Sequence, residues 1–180
     1  MAESAALVIA LALMALIGGF ALVLGMPPGA TSPKVARALL ALAPDEVAGP
    51  VVELGSGWGT LAMALARRYP ACTVVGYELS PVPWLVSRII LAVRPTANLR
   101  LRYGDFRRAD LSGASLVVCY LVPRAMAALR PKLEHEMPAG AWVLSSTFAV
   151  PGWTPVEETR ADDLYRSPVY LYRIGGKNSR

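Results

Sequence analysis

The sequence predicts an α/β fold: a doubly wound, Rossmann-like and mainly parallel sheet that ends in an antiparallel C-terminal hairpin and follows one transmembrane helix. Three observations predict it. An uncharged run extends from Ala5 to Met26, short apolar runs alternate with helical patterns from Pro33 onward, and the last two strand-like runs have no helix between them. The 180 residues suit one domain beyond the helix. Hydrophobic residues make up 54% and charged residues 17%, which excludes intrinsic disorder and is oilier than a soluble domain requires.

The apolar run accounts for that excess. Residues 5–26, AALVIALALMALIGGFALVLGM, are long enough as a helix to cross a hydrocarbon core of about 30 Å. A cleaved signal peptide is the rival reading, but it needs a basic segment before the run, where Glu3 is the one charged side chain, and a small-residue cleavage site after it. Lys34 and Arg37 follow the run, so the positive-inside rule places the C-terminal bulk in the cytoplasm and makes the protein single-pass. Residues 1–4 are then an N-terminal tail, 27–32 a linker containing Pro27, Pro28 and Gly29, and 33–180 the folded domain.

Within the domain, Ser32 caps a helix that begins at Pro33, carries a Val35, Leu39 and Leu42 stripe, and is stopped by Pro44. Val51 to Leu54 is a strand that opens a glycine turn, and Thr60 to Arg68 is helical. Strand signals then recur over Thr73 to Tyr77, Leu99 to Tyr103, Ser115 to Leu121 and Trp142 to Thr147. Helical patterns separate them over Pro83 to Val93 and Pro123 to about Glu136. Val156 to Thr159 and Val169 to Ile174 form the closing hairpin. In such a sheet, ligands bind at the carboxyl ends of the strands.

The 18 Lys and Arg exceed the 13 Asp and Glu, for a net charge of +5, and every cation lies after Pro33. That sign suits an anionic partner such as a phospholipid surface or nucleic acid, although an arginine-rich proteome also produces it. Cys72 and Cys119 have no Cys or His partners at metal-ligand spacing, so no metal site and no disulfide framework is expected.

The sharpest local signal is Glu53-Leu54-Gly55-Ser56-Gly57-Trp58-Gly59 at the end of the first strand. Alternate glycines let the backbone turn tightly and approach a ligand, which makes Gly55, Ser56, Gly57 and Gly59 candidate cofactor-binding positions. A dinucleotide fingerprint needs glycine where this chain has Thr60, which argues against NAD and FAD. The second strand ends near Glu78, placed to accept from both hydroxyls of a ribose. After the third come Asp105, an acceptor for an adenine amino group, and Phe106, a cover for the ring.

With these motifs the chain resembles the class I S-adenosylmethionine-dependent methyltransferases, over about residues 33 to 174. More narrowly, V-G-Y-E-L-S-P, C-Y-L-V-P, F-A-V-P-G-W-T-P and the preceding apolar run resemble the small membrane-anchored relatives of the ATP synthase c-subunit and adenine nucleotide translocase lysine methyltransferases. The resemblance implies S-adenosyl-L-methionine as cofactor, with its site at Glu53, Gly55, Gly57, Glu78 and Asp105. Those eukaryotic relatives carry an acid after the second glycine of the loop, where this chain has Trp58.

Methyl transfer from a sulfonium is an in-line displacement that needs alignment and no metal. A lysine nucleophile must be neutral, which a partly dehydrated apolar site favours. Tyr120 is the candidate for lining that site, with a core tyrosine as its other reading. Trp153 either covers the substrate or braces the sheet end, and His135 is expected to be solvated. The leading functional reading is a membrane-anchored methyltransferase acting on a lysine of a membrane-associated protein, partnered by the bilayer through residues 5–26. A lipid-amine or small-molecule methyltransferase is the second reading. A non-catalytic cofactor-binding membrane scaffold, kept open by Trp58, is the third. Nucleic acid is not expected as a partner, since the chain has no added binding domain and no N/D-P-P-Y-type run after the fourth strand.

Overall fold

The computed structural model describes residues 31–175 and scattered positions between 4 and 19. The rest of the apolar run over 5–26 and most of the 27–32 linker lie outside the described residues. Among those described, no helix is long and apolar enough to cross a membrane. The positions described between 4 and 19 are helical, with Leu7, Val8, Leu11 and Met14 exposed.

Helix α1 (Pro33–Leu42) starts as expected, with the Ser32 hydroxyl accepting from the Val35 N–H at 3.2 Å and Pro33 in the first turn. Strand β1 (Val51–Leu54), α2 (Thr60–Arg68), β2 (Val74–Glu78), α3 (Pro81–Val93) and β3 (Leu99–Tyr103) step outward toward one edge of the sheet. Strand β4 (Leu116–Cys119), α4 (Pro123–Glu136) and β5 (Trp142–Ser146) build toward the other edge, and β6 (Glu157–Arg160) and β7 (Pro168–Arg173) close it.

The sheet has seven strands in the order β3-β2-β1-β4-β5-β7-β6. The first five run parallel, and β7 inserts antiparallel between β5 and β6. Hence the expected hairpin is present, with its second strand, not its first, against the parallel sheet. The order reverses between β1 and β4, which puts a crevice at their carboxyl ends.

Strands β1 and β4 are buried along their whole length, as strands covered on both faces must be. Alternate residues feed two cores. Val51, Val74, Leu116 and Leu144 meet α1, α2 and α3 on one face, while Val52, Leu54, Val117 and Val143 meet Met126, Leu129 and Leu133 of α4 on the other. Asn98 ties the α2–β2 turn to the sheet edge, its amide nitrogen lying 2.9–3.0 Å from the carbonyl oxygens of Ala66, Tyr69 and Cys72.

The differences from the expected element bounds are small and have local causes. Helix α3 begins at Pro81, two residues earlier than the pattern suggested, because proline fits the first helical turn. Strand β4 stops at Cys119 instead of Leu121, releasing Tyr120 from the ladder. Strand β5 stops at Ser146 because Thr147 takes a left-handed φ of 67°.

Candidate active site

Three glycines build the β1–α2 turn. Gly55, Gly57 and Gly59 have φ of 81°, 51° and 77°, a region that side chains disfavour. Room is short as well: a Cβ on Gly59 would stand 3.0 Å from Ser87 Cβ, and one on Gly55 would stand 3.1 Å from Leu121 Cδ2. The N–H groups of Gly55 and Ser56 both donate to the Tyr77 carbonyl at 2.9 Å, which pins the turn to the end of β2.

Glu78 completes that tie. It is buried, its Oε2 accepts from the Gly57 N–H at 2.7 Å and its Oε1 accepts from the Ser80 N–H at 2.6 Å. A carboxylate reserved for a ligand would have few protein bonds; this one is also a structural clamp between the glycine turn and the start of α3. Each oxygen keeps lone-pair capacity for a further donor.

Glu53 lies beneath the turn, paired in register with Gly76 and Val118 and only 4% exposed. Burial pushes its carboxyl well above the usual carboxylate range and the charge of Glu78 adds to the rise, while a hydrogen bond from the Ala62 backbone lowers it in part. Glu53 Oε2 and Ser56 Oγ are buried side-chain oxygens with no hydrogen-bond partner among the described residues. Ser56 is wedged over Gly76, where an added Cβ would stand 2.9 Å from Ser56 Cβ and 2.9 Å from Leu101 Cδ2. Gly76 is therefore a requirement of the turn that the sequence pattern did not single out, although it stands inside the V-G-Y-E run.

Asp105 follows β3 at the same end of the sheet. Its Oδ1 accepts from the Arg107 N–H at 2.9 Å, and the Arg107 guanidinium reaches both oxygens, with Nη2 2.6 Å from Oδ2. Hydrogen bonds from the Arg107 side chain lead in holding this carboxyl below its usual range, against a smaller effect of partial burial. Phe106 is half-buried against the α4-side core. Arg107 is a partner that spacing alone did not expose.

The other half of the crevice is aromatic. Leu54 pairs with Cys119, so Gly55 and Tyr120 leave neighbouring strands at the same level. The Tyr120 ring lies parallel to that of Phe148, with centroids 6.4 Å apart and planes within 9°. Phe148 is aimed there by Thr147, whose left-handed backbone is held by its N–H donating to the Pro168 carbonyl at 2.7 Å. The Ser145 hydroxyl donates to the Phe148 carbonyl. A β-branched residue in this conformation costs on the order of 1–3 kcal/mol and marks a position fixed by its surroundings.

Two candidates resolve toward structure. Trp153 is buried edge-on to Tyr172 at 5.6 Å, and its Nε1 donates to Glu134 Oε1 at 2.9 Å, so it braces α4 against the sheet end. His135 is exposed on α4. Burial pushes the Cys119 thiol up to about 12, so it stays protonated, and no group of metal-ligating side chains occurs among the described residues.

This geometry of fold, turn and acidic strand ends has relatives. Residues 53–157 match the family described as the ANTKMT methyltransferase domain. The chain belongs to that family. A protein-lysine N-methyltransferase of Saccharolobus islandicus is 31% identical over 152 residues, covering 81% of this chain and 91% of the relative. The mouse lysine N-methyltransferase of the ATP synthase c-subunit is 37% identical over 73% of this chain, which spans about half (52%) of that relative's length. Among solved structures, an RNA methyltransferase from Salinibacter ruber, in complex with S-adenosyl-L-homocysteine, superposes with a TM-score of 0.73 at 29% identity, covering 83% of this chain and 95% of that one.

The protein is thus an S-adenosylmethionine-dependent methyltransferase. The donor chemistry of its cofactor fits the residues present. S-adenosylmethionine offers an ammonium, two ribose hydroxyls and an adenine amino group, all donors. The methyltransferase offers the partnerless Glu53 Oε2 beneath the turn and the carboxylates of Glu78 and Asp105 along the strand ends. The glycines keep the rim of the turn free of side chains that would block the approach.

Proposed function

We propose that this methyltransferase is membrane-anchored and methylates a lysine ε-amine of a membrane-associated protein. The observation that carries the lysine reading is the Tyr120–Phe148 pair at the ends of β4 and β5, level with the glycine turn. Two parallel aromatic faces make an apolar mouth that strips water from an incoming side chain. Desolvation lowers an amine's pKa and so favours the neutral nucleophile, and the aromatic faces tolerate the methylated, still cationic product. The names of the archaeal and mouse relatives support the same target chemistry.

When bound, S-adenosylmethionine would supply an electrophilic methyl on a sulfonium whose sulfur departs as a neutral thioether, so the leaving group needs no acid catalyst. The protein's part is placement. The Gly55–Gly59 turn and Glu53 would hold the methionine end, Glu78 the ribose and Asp105 the adenine. Tyr120 and Phe148 orient the amine and exclude water, and Leu121, packed under Gly55, keeps the two halves in register.

The apolar, uncharged sequence over 5–26 supports the anchor, and Lys34 and Arg37 just after it support a cytoplasmic domain. A reporter fused after Arg180 is expected to be active on the cytoplasmic side. The function is tested by incubating membranes with methyl-labelled S-adenosylmethionine and the full chain, then separating protein from lipid. Label in protein, abolished by prior chemical blocking of lysines, is the expected result. Label confined to lipid, or no label at all, contradicts it.

A further inference from the structure

Helix α3 buries little of itself. Only Pro83 and Ser87 are fully buried, whereas Leu85, Ile89 and Val93, spaced four residues apart on one face, are 54%, 55% and 75% exposed. That is a continuous apolar ridge along the outside of the molecule, rimmed by the exposed Arg88 and Arg94. The ridge belongs to a layer of unusual charge. Helices α1, α2 and α3 share one face of the sheet and contain Lys34, Arg37, Arg67, Arg68 and Arg88 but no Asp or Glu. The acids paired with this layer, Asp45 on Arg68 and Asp162 on Lys34, come from outside the three helices. Beside α1, an open cleft of about 300 Å³ is lined by Lys34, Arg37, Arg160 and Asp162. Helix α4, on the opposite face, mixes its cations with Glu134 and Glu136.

Apolar side chains on one helical face with arginines at the rim are the pattern of a helix lying in a membrane interface. There the apolar face enters the acyl boundary and the guanidinium groups remain with anionic headgroups. We infer that the α1–α2–α3 layer is a bilayer-contact face, with the α3 ridge seated in the interface of an anionic phospholipid leaflet. The inference rests on the anchored reading, because the segment 5–26 enters the domain through α1, in this same layer. It deepens that reading by fixing how the domain lies. Helix α3 begins just after Glu78, so a seated ridge keeps the carboxyl ends of the strands, and the amine-accepting mouth with them, close to the bilayer surface.

The test uses the full chain reconstituted into vesicles containing phosphatidylglycerol, with or without brominated acyl chains that quench tryptophan on contact. Ile89→Trp places a reporter on the ridge, and Ala128→Trp places one on the exposed side of α4. In chains that float with the vesicles, the fluorescence added by Ile89→Trp is expected to fall by about half in brominated lipid, as for a side chain seated at interfacial depth, while that added by Ala128→Trp stays unchanged. In pure phosphatidylcholine the Ile89→Trp quenching is expected to weaken while flotation persists. Equal quenching at both positions overturns the inference. So does an Ile89→Trp signal that is shielded from aqueous quencher in the vesicles yet unchanged by brominated lipid, which would put residues 5–26 or a second copy of the chain on the ridge. Flotation without Ile89→Trp quenching defeats the ridge alone, whereas loss of flotation defeats the anchor and the ridge together.

Discussion

The two halves of the crevice are built from opposite materials. From β1 to β3 the strand ends carry acids locked into backbone hydrogen bonds, with Glu78 between Gly57 and Ser80 and Asp105 capping the turn at Arg107. From β4 to β5 they carry a tyrosine and a phenylalanine stacked on each other, positioned by a strained threonine. The first half suits a ligand rich in hydrogen-bond donors. The second suits an alkyl amine that must shed water and then depart. The difference teaches where affinity and turnover reside: substitutions in the acidic half should weaken cofactor binding, and those in the aromatic half should slow transfer.

The largest break in that division is expected at Glu78. Glu78→Ala removes two charge-assisted bonds from a buried clamp, each worth roughly 1.5–3 kcal/mol, so the unfolding midpoint should fall as well as the cofactor affinity. Denaturant titration of the cofactor-free protein checks this; an unchanged midpoint would mean that the clamp carries no load. Next in size is Gly76→Ala. The new Cβ meets Ser56 and Leu101 at 2.9 Å, so overpacking should cost about 1–3 kcal/mol and push the glycine turn outward. Its signature is a loss of stability together with cofactor affinity, from a residue that is not expected to touch the cofactor.

Phe148→Ala acts on the other half. Removing the stack is expected to cost about 0.5–1.5 kcal/mol of stability, and to lower kcat/KM for the protein substrate about tenfold or more. A single-turnover assay at saturating cofactor reads the second effect free of cofactor binding. Tyr120→Phe, which keeps the ring, should retain most of the rate if the aromatic face matters more than the hydroxyl.

A further test sharpens the comparison through pH. A carboxyl whose pKa is raised on folding takes up a proton that the unfolded chain, near 4.3, has released. Glu53 therefore costs nothing below about pH 4, and stability falls as pH rises from there through its raised folded value. Glu53→Gln should abolish that fall, seen as a flatter dependence of the denaturant midpoint on pH. A parallel pair of curves would show that Glu53 ionises normally in the folded protein.

The acidic half was legible in the sequence because its determinants are local. Glycines at alternate positions announce a backbone turn, and an acid at a strand end stands alone in an apolar context. The Ser32 cap, the bounds of α1, α2 and α4 and the alternation of Leu99 and Leu101 with Arg100 and Arg102 were readable for the same reason. The aromatic half was only half legible. Tyr120 follows an apolar run and could be singled out, but Phe148 faces it from the next strand through a backbone reversal at Thr147, and no local pattern announces a β-branched residue with positive φ. Gly76 and Arg107 escaped for a related reason. Their roles exist only once Ser56 and Asp105 have been placed against them. The double duty of Glu78 was likewise invisible, because the Gly57 and Ser80 N–H groups converge on it only in the folded turn.

Calorimetric titration of S-adenosylmethionine into the wild type, Glu78→Ala and Phe148→Ala tests the division most directly. The wild type should bind, Glu78→Ala should bind at least about tenfold more weakly, and Phe148→Ala should remain within about twofold, a difference under about 0.5 kcal/mol. A wild type without affinity for the cofactor, or a Phe148→Ala protein weakened as much as Glu78→Ala, would contradict the assignment of cofactor and substrate to separate halves of the crevice.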